Sequence, residues 1–286
     1  MADATEDFTA RYRREGLSSS LVKRFRRIIY EHYHRHGRSF PWRLTFDPYH
    51  ILVSEIMLQQ TQTQRVLEKY EAFIGRFPDV LTVAGAPLHD ILSLWQGLGY
   101  NRRALALKRT AERITRDFGG AIPRDADALR SLPGIGRATA AAILSFAYNQ
   151  PAVLMETNVR SVFIHFFFLD EDGVSDAEIR PFVEKTLDMA NPREWYYALM
   201  DYGVTLKKSS KNPGRRSAHY RRQSPFNGSN RQARGVILRT LVQKLEMAEA
   251  ELLEALDLET ERVRGNLREL QDEGLVKESE GKYSIA

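Results

Sequence analysis

Two glutamates have neighbours that suit chemistry. Glu55 lies between Leu52 and Ile56, close to the apolar stripe of a helical pattern, and Gln59-Gln60-Thr61 follow one turn later. A buried carboxylate is costly unless it is paired or protonated, so its pKa is expected to rise. The alternative is a helix-surface glutamate beside a core. A solvent face would prefer charge to amides, and Gln59, Gln60 and Thr61 suit the filling of a gap left by a flipped base and the bonding of its partner. Glu156 precedes the apolar run Val159 to Leu169, where a carboxylate caps a helix N-terminus and is favoured by the dipole. Its other reading is an ionised carboxylate facing a cleft, opposite Glu55.

Three loops carry further candidates. Leu132-Pro133-Gly134-Ile135-Gly136-Arg137 must turn tightly, and Ala138-Thr139-Ala140-Ala141-Ala142 then starts a helix. With a glycine on each side of Ile135, a phosphate can approach the unpaired N–H groups of that helix, which makes a sequence-blind clamp on a nucleic-acid backbone. The alternative is a helical corner whose glycines serve packing alone. Trp95-Gln96-Gly97-Leu98-Gly99-Tyr100-Asn101-Arg102-Arg103 places an aromatic and two cations after two helix breakers. Tyr100 is suited to wedge into a base stack while Arg102 or Arg103 meets phosphate, or the stretch is a helix corner with a cationic surface. Residues 38–49 form an aromatic, proline-stiffened loop with Arg38, Trp42 and Arg43, fit either for stacking and phosphate contact or for packing under a core.

The elements that must position these residues are mostly helices. Residues 1–17 are polar and read as a loose lead-in. Apolar spacing predicts helices over Ser18–Arg35, His50–Ile74, Asp79–Ala84, Leu88–Leu94 and Ala104–Phe118, one from the hairpin to Tyr148, one over Val159–Leu169, and more over 175–201. Between Lys207 and Gly235 stand Lys207, Lys208, Lys211, Arg215, Arg216, Arg221, Arg222, Arg231 and Arg234 with no acidic residue, and Tyr220 and Phe226 are interleaved. A nucleic-acid backbone is the expected partner of that patch; a solvated linker is the alternative. From Ala233 onward three helices and two short strands, around 274–277 and 282–285, predict a winged helix. Its third helix carries Arg262, Arg264 and Arg268.

The 286 residues carry a net charge of +5 with pI about 9.3, which favours a polyanionic partner. Cysteine is absent, which excludes disulfides, thiolate-held zinc and a cysteine-bound iron–sulfur cluster, so no metal or cofactor is expected. The acidic N-terminus lacks an apolar signal core and no window approaches a membrane span. The expectation is a soluble, cytoplasmic monomer with no membrane partner.

Pro41-Trp42, Ser54-Glu55-Ile56-Met57-Leu58-Gln59-Gln60-Thr61-Gln62, Trp95 to Tyr100, Leu132 to Arg137 and Asn158-Val159 together resemble the helix–hairpin–helix base-excision DNA glycosylases, above all the adenine glycosylase (MutY) type, over about residues 20–205. The resemblance implies an all-α fold of two subdomains with the active site in the cleft between them, and a nucleotide flipped from double-stranded DNA. It implies that Glu55 protonates the departing adenine and that a second carboxylate stabilises the oxocarbenium-like sugar before water completes hydrolysis. The family's second carboxylate is an aspartate two residues before Asn-Val; Glu156 stands there, one methylene longer. Gln60 and Thr61 match the family's wedge amide and threonine, and Gly97 to Asn101 its intercalating loop. Gly134, Gly136, Arg137 and Thr139 fall in the DNA-binding hairpin and Arg38, Trp42 and Tyr197 beside the base pocket. Tyr197 replaces a glutamine that contacts adenine in some relatives. Ala138 replaces the Schiff-base lysine of bifunctional relatives, so no lyase activity by that route is expected. The four-cysteine cluster loop gives way to the basic segment, and the winged helix stands where typical adenine glycosylases carry the domain that reads 8-oxoguanine.

The expected organisation is a flexible lead-in over 1–17, a glycosylase domain over 18–206, a basic linker over 207–235 and a winged-helix-like module over 236–286. The expected function is a monofunctional DNA glycosylase of base excision repair acting on a mispaired base, adenine opposite 8-oxoguanine or guanine first. Uracil, thymine or hypoxanthine in a mispair comes next, and a non-catalytic DNA-binding protein is the rival from another class.

Overall fold

The structure is a computed structural model that describes residues 2–209, 212–222 and 225–286. In chain order its helices and strands are α1 Ala2–Glu15, α2 Ser19–His36, α3 Pro48–Leu58, α4 Thr63–Arg76, α5 Val80–Gly85, α6 Leu88–Trp95, α7 Arg102–Phe118, α8 Ala126–Ser131, α9 Arg137–Tyr148, α10 Thr157–Phe167, α11 Asp176–Thr186, α12 Pro192–Ser209, α13 Asn230–Lys244, β1 Glu246–Ala248, α14 Glu249–Ala255, α15 Thr260–Asp272, β2 Val276–Ser279 and β3 Lys282–Ile285. Side-chain caps set several starts: Ser18 accepts from the Leu21 N–H, and Asp79 with Thr82 and Ser175 with Glu178 form reciprocal capping boxes. No helix among the described residues is long and apolar enough to cross a membrane.

The chain divides into two compact units. The first comprises Met1–Pro48, Arg124–Ala126 and Gly136–Arg222; the second comprises Tyr49–Pro123, Asp127–Ile135 and Gln223–Ala286. The core of the first is aromatic. Phe25 of α2 lies edge-on to Phe166 of α10 at 5.0 Å and to Trp195 of α12 at 5.7 Å. Phe8 joins them, wholly buried and edge-on to Phe166 and Phe167 at 5.4 and 5.6 Å. The expected loose lead-in is therefore helix α1, docked through this ring; its polar composition masked one apolar stripe. Residues 212–222 also belong to this unit. There Arg216 donates to the carbonyls of Ile164, Phe168 and Leu169, closing the C-terminal end of α10.

The second unit holds α3–α8 and the C-terminal winged-helix elements. Its antiparallel sheet has the order β1-β3-β2, with Met247 opposite Tyr283 and Lys277 opposite Ser284. Strand β1 had no counterpart in the sequence reading, and α13 starts at Asn230, inside the segment expected to be linker. The single helix expected over His50–Ile74 is two, α3 and α4. The intervening Gln60 has a left-handed φ of 54°. Continuing the helix would require the carbonyls of Ile56, Met57 and Gln59 as acceptors, and all three accept instead from the Arg103 guanidinium, at 2.9, 2.7 and 2.6 Å.

Candidate functional site

In the second unit α3 is buried along Ile51, Leu52, Val53, Ser54, Ile56 and Met57, and Glu55 is half-buried among them. Gln60 and Thr61 form the turn that follows. Beyond the three carbonyls of that segment, Arg103 donates to the Thr61 hydroxyl at 2.8 Å and the Gly99 carbonyl at 3.0 Å, and lies 5.5 Å from the Tyr100 ring centroid. One guanidinium thus ties the end of the Glu55 helix, the amide turn and the Tyr100 loop together. Burial pushes Arg103 down to about 10, still charged at neutral pH. Expected as a phosphate contact, Arg103 has its donors committed inside the protein; at a buried position five N–H groups need acceptors, and these loop carbonyls supply them.

The hairpin is anchored in the same unit. Leu129, Leu132 and Ile135 are buried, the Thr110 hydroxyl donates to the Pro133 carbonyl at 2.7 Å, and the Gln59 amide donates to the Gly134 carbonyl at 3.2 Å. The two glycines differ in purpose. Gly134 has φ 73° and a Cβ there would meet that of Ala106 at 2.8 Å, so its need is internal. Gly136, the N-cap of α9, has open space where a Cβ would be, and Gly136 and Arg137 are exposed while Thr139 is half-buried. A phosphate can approach the α9 N-terminus over Gly136.

In the first unit Glu156 is the N-cap of α10. One carboxylate oxygen accepts from the N–H groups of Asn158 and Val159, both at 2.8 Å, and the other accepts from the Asn158 side-chain amide at 3.2 Å. The Asn158 carbonyl oxygen in turn accepts from the Lys207 ammonium at 2.7 Å. Burial lowers the Lys207 pKa, a shift that nearby Glu156 opposes. Lys207–Asn158–Glu156 is a polar chain that fixes which face of the Asn158 amide meets the carboxylate. The cap reading holds as geometry, and three hydrogen bonds fix where the carboxylate points.

The loop after α2 folds onto a residue the sequence reading missed. Asp201 of α12 is 2% exposed and accepts from the Arg38 backbone at 2.7 Å, from the Arg38 side chain at 2.7 and 2.6 Å, and from both terminal nitrogens of Arg43 at 2.9 and 3.0 Å. Burial alone would raise its pKa; the Arg43 and Arg38 partners overcome this and hold the carboxyl below its usual range. Trp42 is 3% exposed and stacks on Phe40. Tyr197, 5% exposed, stacks on Phe146 at 4.4 Å, and Arg43 lies 4.5 Å from its centroid. Of the three residues expected beside a base pocket, Trp42 and Tyr197 are buried and Arg38 is half-buried on Asp201, with Arg43 lying between Asp201 and the Tyr197 ring. A lone aspartate in Ala198-Leu199-Met200-Asp201-Tyr202 was the available signal.

The basic segment also departs from a uniform patch. Lys207 and Arg216 are engaged as described, Arg231 donates to the Tyr100 hydroxyl at 3.0 Å, and Arg234 pairs with Glu269 and Glu273. Lys208, Arg215, Arg221 and Arg222 are exposed, while Lys211 lies outside the described residues. In α15, Arg262 and Arg264 turn to the Gly228 carbonyl and Glu249, leaving Arg268 exposed.

Residues 53–186 match the HhH-GPD superfamily of base excision DNA repair proteins, and the chain belongs to that superfamily. It is 37% identical over 194 residues to the adenine DNA glycosylase of Buchnera aphidicola subsp. Baizongia pistaciae, covering 65% of this chain and 54% of the relative. It is 34% identical over 230 residues to the adenine DNA glycosylase of Mycobacterium tuberculosis, covering 73% of this chain and 75% of the relative. The match thus spans about half the Buchnera relative's length. Among solved structures it is similar to a thermostable thymine-DNA glycosylase, with TM-score 0.59 and 28% identity over 64% of this chain and 86% of the other.

Proposed function

We propose that this protein is a monofunctional DNA glycosylase that binds double-stranded DNA and hydrolyses the N-glycosidic bond of a mispaired base, adenine opposite 8-oxoguanine or guanine. The observation that carries the reading is the Arg103 tie, which joins the helix bearing Glu55, the Gln60–Thr61 turn and the Tyr100 loop into one rigid element. Glu55 donates a proton to the departing base as the C1′–N bond breaks. Glu156, fixed in place at its cap, stabilises the cationic sugar, and water supplies hydroxide to C1′ and releases a proton. Gly136, Arg137 and the α9 N-terminus take a backbone phosphate.

Likeness to a thymine-DNA glycosylase structure favours a second substrate reading, thymine in a mispair. Both are tested by incubating the protein with duplexes carrying adenine opposite 8-oxoguanine, adenine opposite guanine, and thymine, uracil or hypoxanthine in a mispair, then cleaving abasic sites with alkali. Release of adenine is the expected result. Because Ala138 has no amine, strands should remain intact until alkali is added. Tight binding with no release from any duplex would favour the non-catalytic DNA-binding protein.

Lys207→Met is expected to slow single-turnover excision about tenfold with duplex affinity nearly unchanged, since it removes the donor that orients Asn158 against Glu156. Lys207→Arg should restore much of the rate; equal loss in binding and excision would mark Lys207 as merely structural.

A further inference from the structure

The C-terminal winged-helix elements grip the Gly97–Arg103 loop and α7, all within the second unit. Arg231 of α13 donates to the Tyr100 hydroxyl at 3.0 Å, and its guanidinium lies 5.7 Å from the ring centroid, while Arg103 lies 5.5 Å from it. Glu273, just after α15, pairs with Arg102 at the start of α7 and with Arg234. The Glu273 carboxylate is only 13% exposed, and burial, which would raise its pKa, is outweighed by these arginines. Gly274 has φ 78°, and a Cβ there would meet the Arg109 guanidinium of α7 at 2.8 Å, so the module's backbone approaches α7 closely. His89 of α6 makes a further contact, its Nε2 lying 2.9 Å from the Val242 carbonyl of α13.

These contacts converge on a residue that a free loop would not hold in place. Tyr100 has φ 49°, a left-handed backbone that a tyrosine rarely adopts. Its conformation persists because the surroundings fix it, from below through Arg103 and from the module through Arg231. We propose that the C-terminal module is a brace for DNA insertion: through Arg231 and Glu273 it holds the Tyr100 loop in the conformation that enters the base stack. The proposal rests on the reading of Tyr100 as a wedge in DNA. Arg231 and Glu273 are positioning residues, acting through Tyr100 and Arg102.

The test uses the full chain with Arg231→Met, Glu273→Gln and Tyr100→Phe, on duplexes with 2-aminopurine stacked beside the mispaired adenine. Fluorescence rises when insertion unstacks the probe, whether or not the base is later excised. Each variant should insert about tenfold more slowly than the unaltered protein. For Arg231→Met and Glu273→Gln, excision from a bubble in which the adenine is already unpaired should change less than about twofold. Arg231→Met combined with Tyr100→Phe should be no slower than the slower single variant, because one hydrogen bond is removed twice. Unchanged insertion rates, additive losses, or equal losses on duplex and bubble would overturn the brace. Insertion by the unaltered protein without excision of any base would instead defeat the glycosylase reading and leave the brace standing. Should Glu273→Gln fail to fold, Arg231→Met carries the same comparison.

Discussion

Glu55→Gln is expected to reduce base release by about a thousandfold or more while duplex affinity stays within about twofold. Glutamine keeps the size of the side chain but has no proton to give a leaving nucleobase, and general acid catalysis of this kind contributes roughly 10²–10⁴ in rate. The surroundings make the substitution clean. Glu55 sits half-buried on α3 between Leu52 and Ile56, both buried, so an amide of equal volume leaves the packing in place. The DNA-facing candidate of the same unit, Tyr100, is held through Arg103 and Arg231, side chains that the substitution leaves unaltered. Single-turnover excision and gel-shift titration on the same duplex separate the two effects. Substantial release by the variant would remove Glu55 from the acid role, and a parallel loss of binding would make it a structural residue.

The sequence was informative where structure is decided locally. Pro133, Gly134 and Gly136 announce their turn by type alone, and the hairpin stands where that reading puts it. Glu156 before an apolar run reads as a cap and is one. Local reading fails where a distant side chain decides. Nothing in Met57-Leu58-Gln59-Gln60 forbids helix; the break comes from Arg103, whose guanidinium takes carbonyls 44 to 47 residues earlier in the chain. Helix α1 was hidden because it docks through two aromatics, Phe8 and Tyr12, that meet rings on α2, α10 and α11. Strand β1 has three residues, too few for alternation to show, and exists only through pairing with β3. The basic segment was legible as charge, but charge does not say where it goes. Four of its cations end on carbonyls, a carboxylate, an amide or a phenol of the protein itself. The residues around Asp201 illustrate the same limit: Arg38 and Arg43 were noticed as cations, while their acceptor lies about 160 residues further on.

Asp201→Asn is expected to destabilise the first unit by about 3 kcal/mol or more, because it leaves two guanidiniums facing an uncharged partner in a buried site. Asparagine can still accept the Arg38 backbone N–H, so the loss isolates charge from shape. In a protein of this size that corresponds to a fall in Tm of roughly 6 °C or more. The pH dependence gives a second, sharper readout. The carboxyl of Asp201 is held below its usual range in the folded protein, so its contribution is complete above the unfolded-state value, near pH 4, and fades as pH falls through the lower folded value. Thermal scans of both proteins should therefore show a gap that is constant from about pH 5 to 8 and narrows only in strong acid. A gap that widened on acidification, or none at neutral pH, would mean that Arg38 and Arg43 do not depend on this carboxylate. The packing of Tyr197 beside it should loosen with the same profile, since Arg43 bridges Asp201 to the Tyr197 ring. The difference in near-ultraviolet signal between the two proteins should follow the same pH profile, without any DNA present.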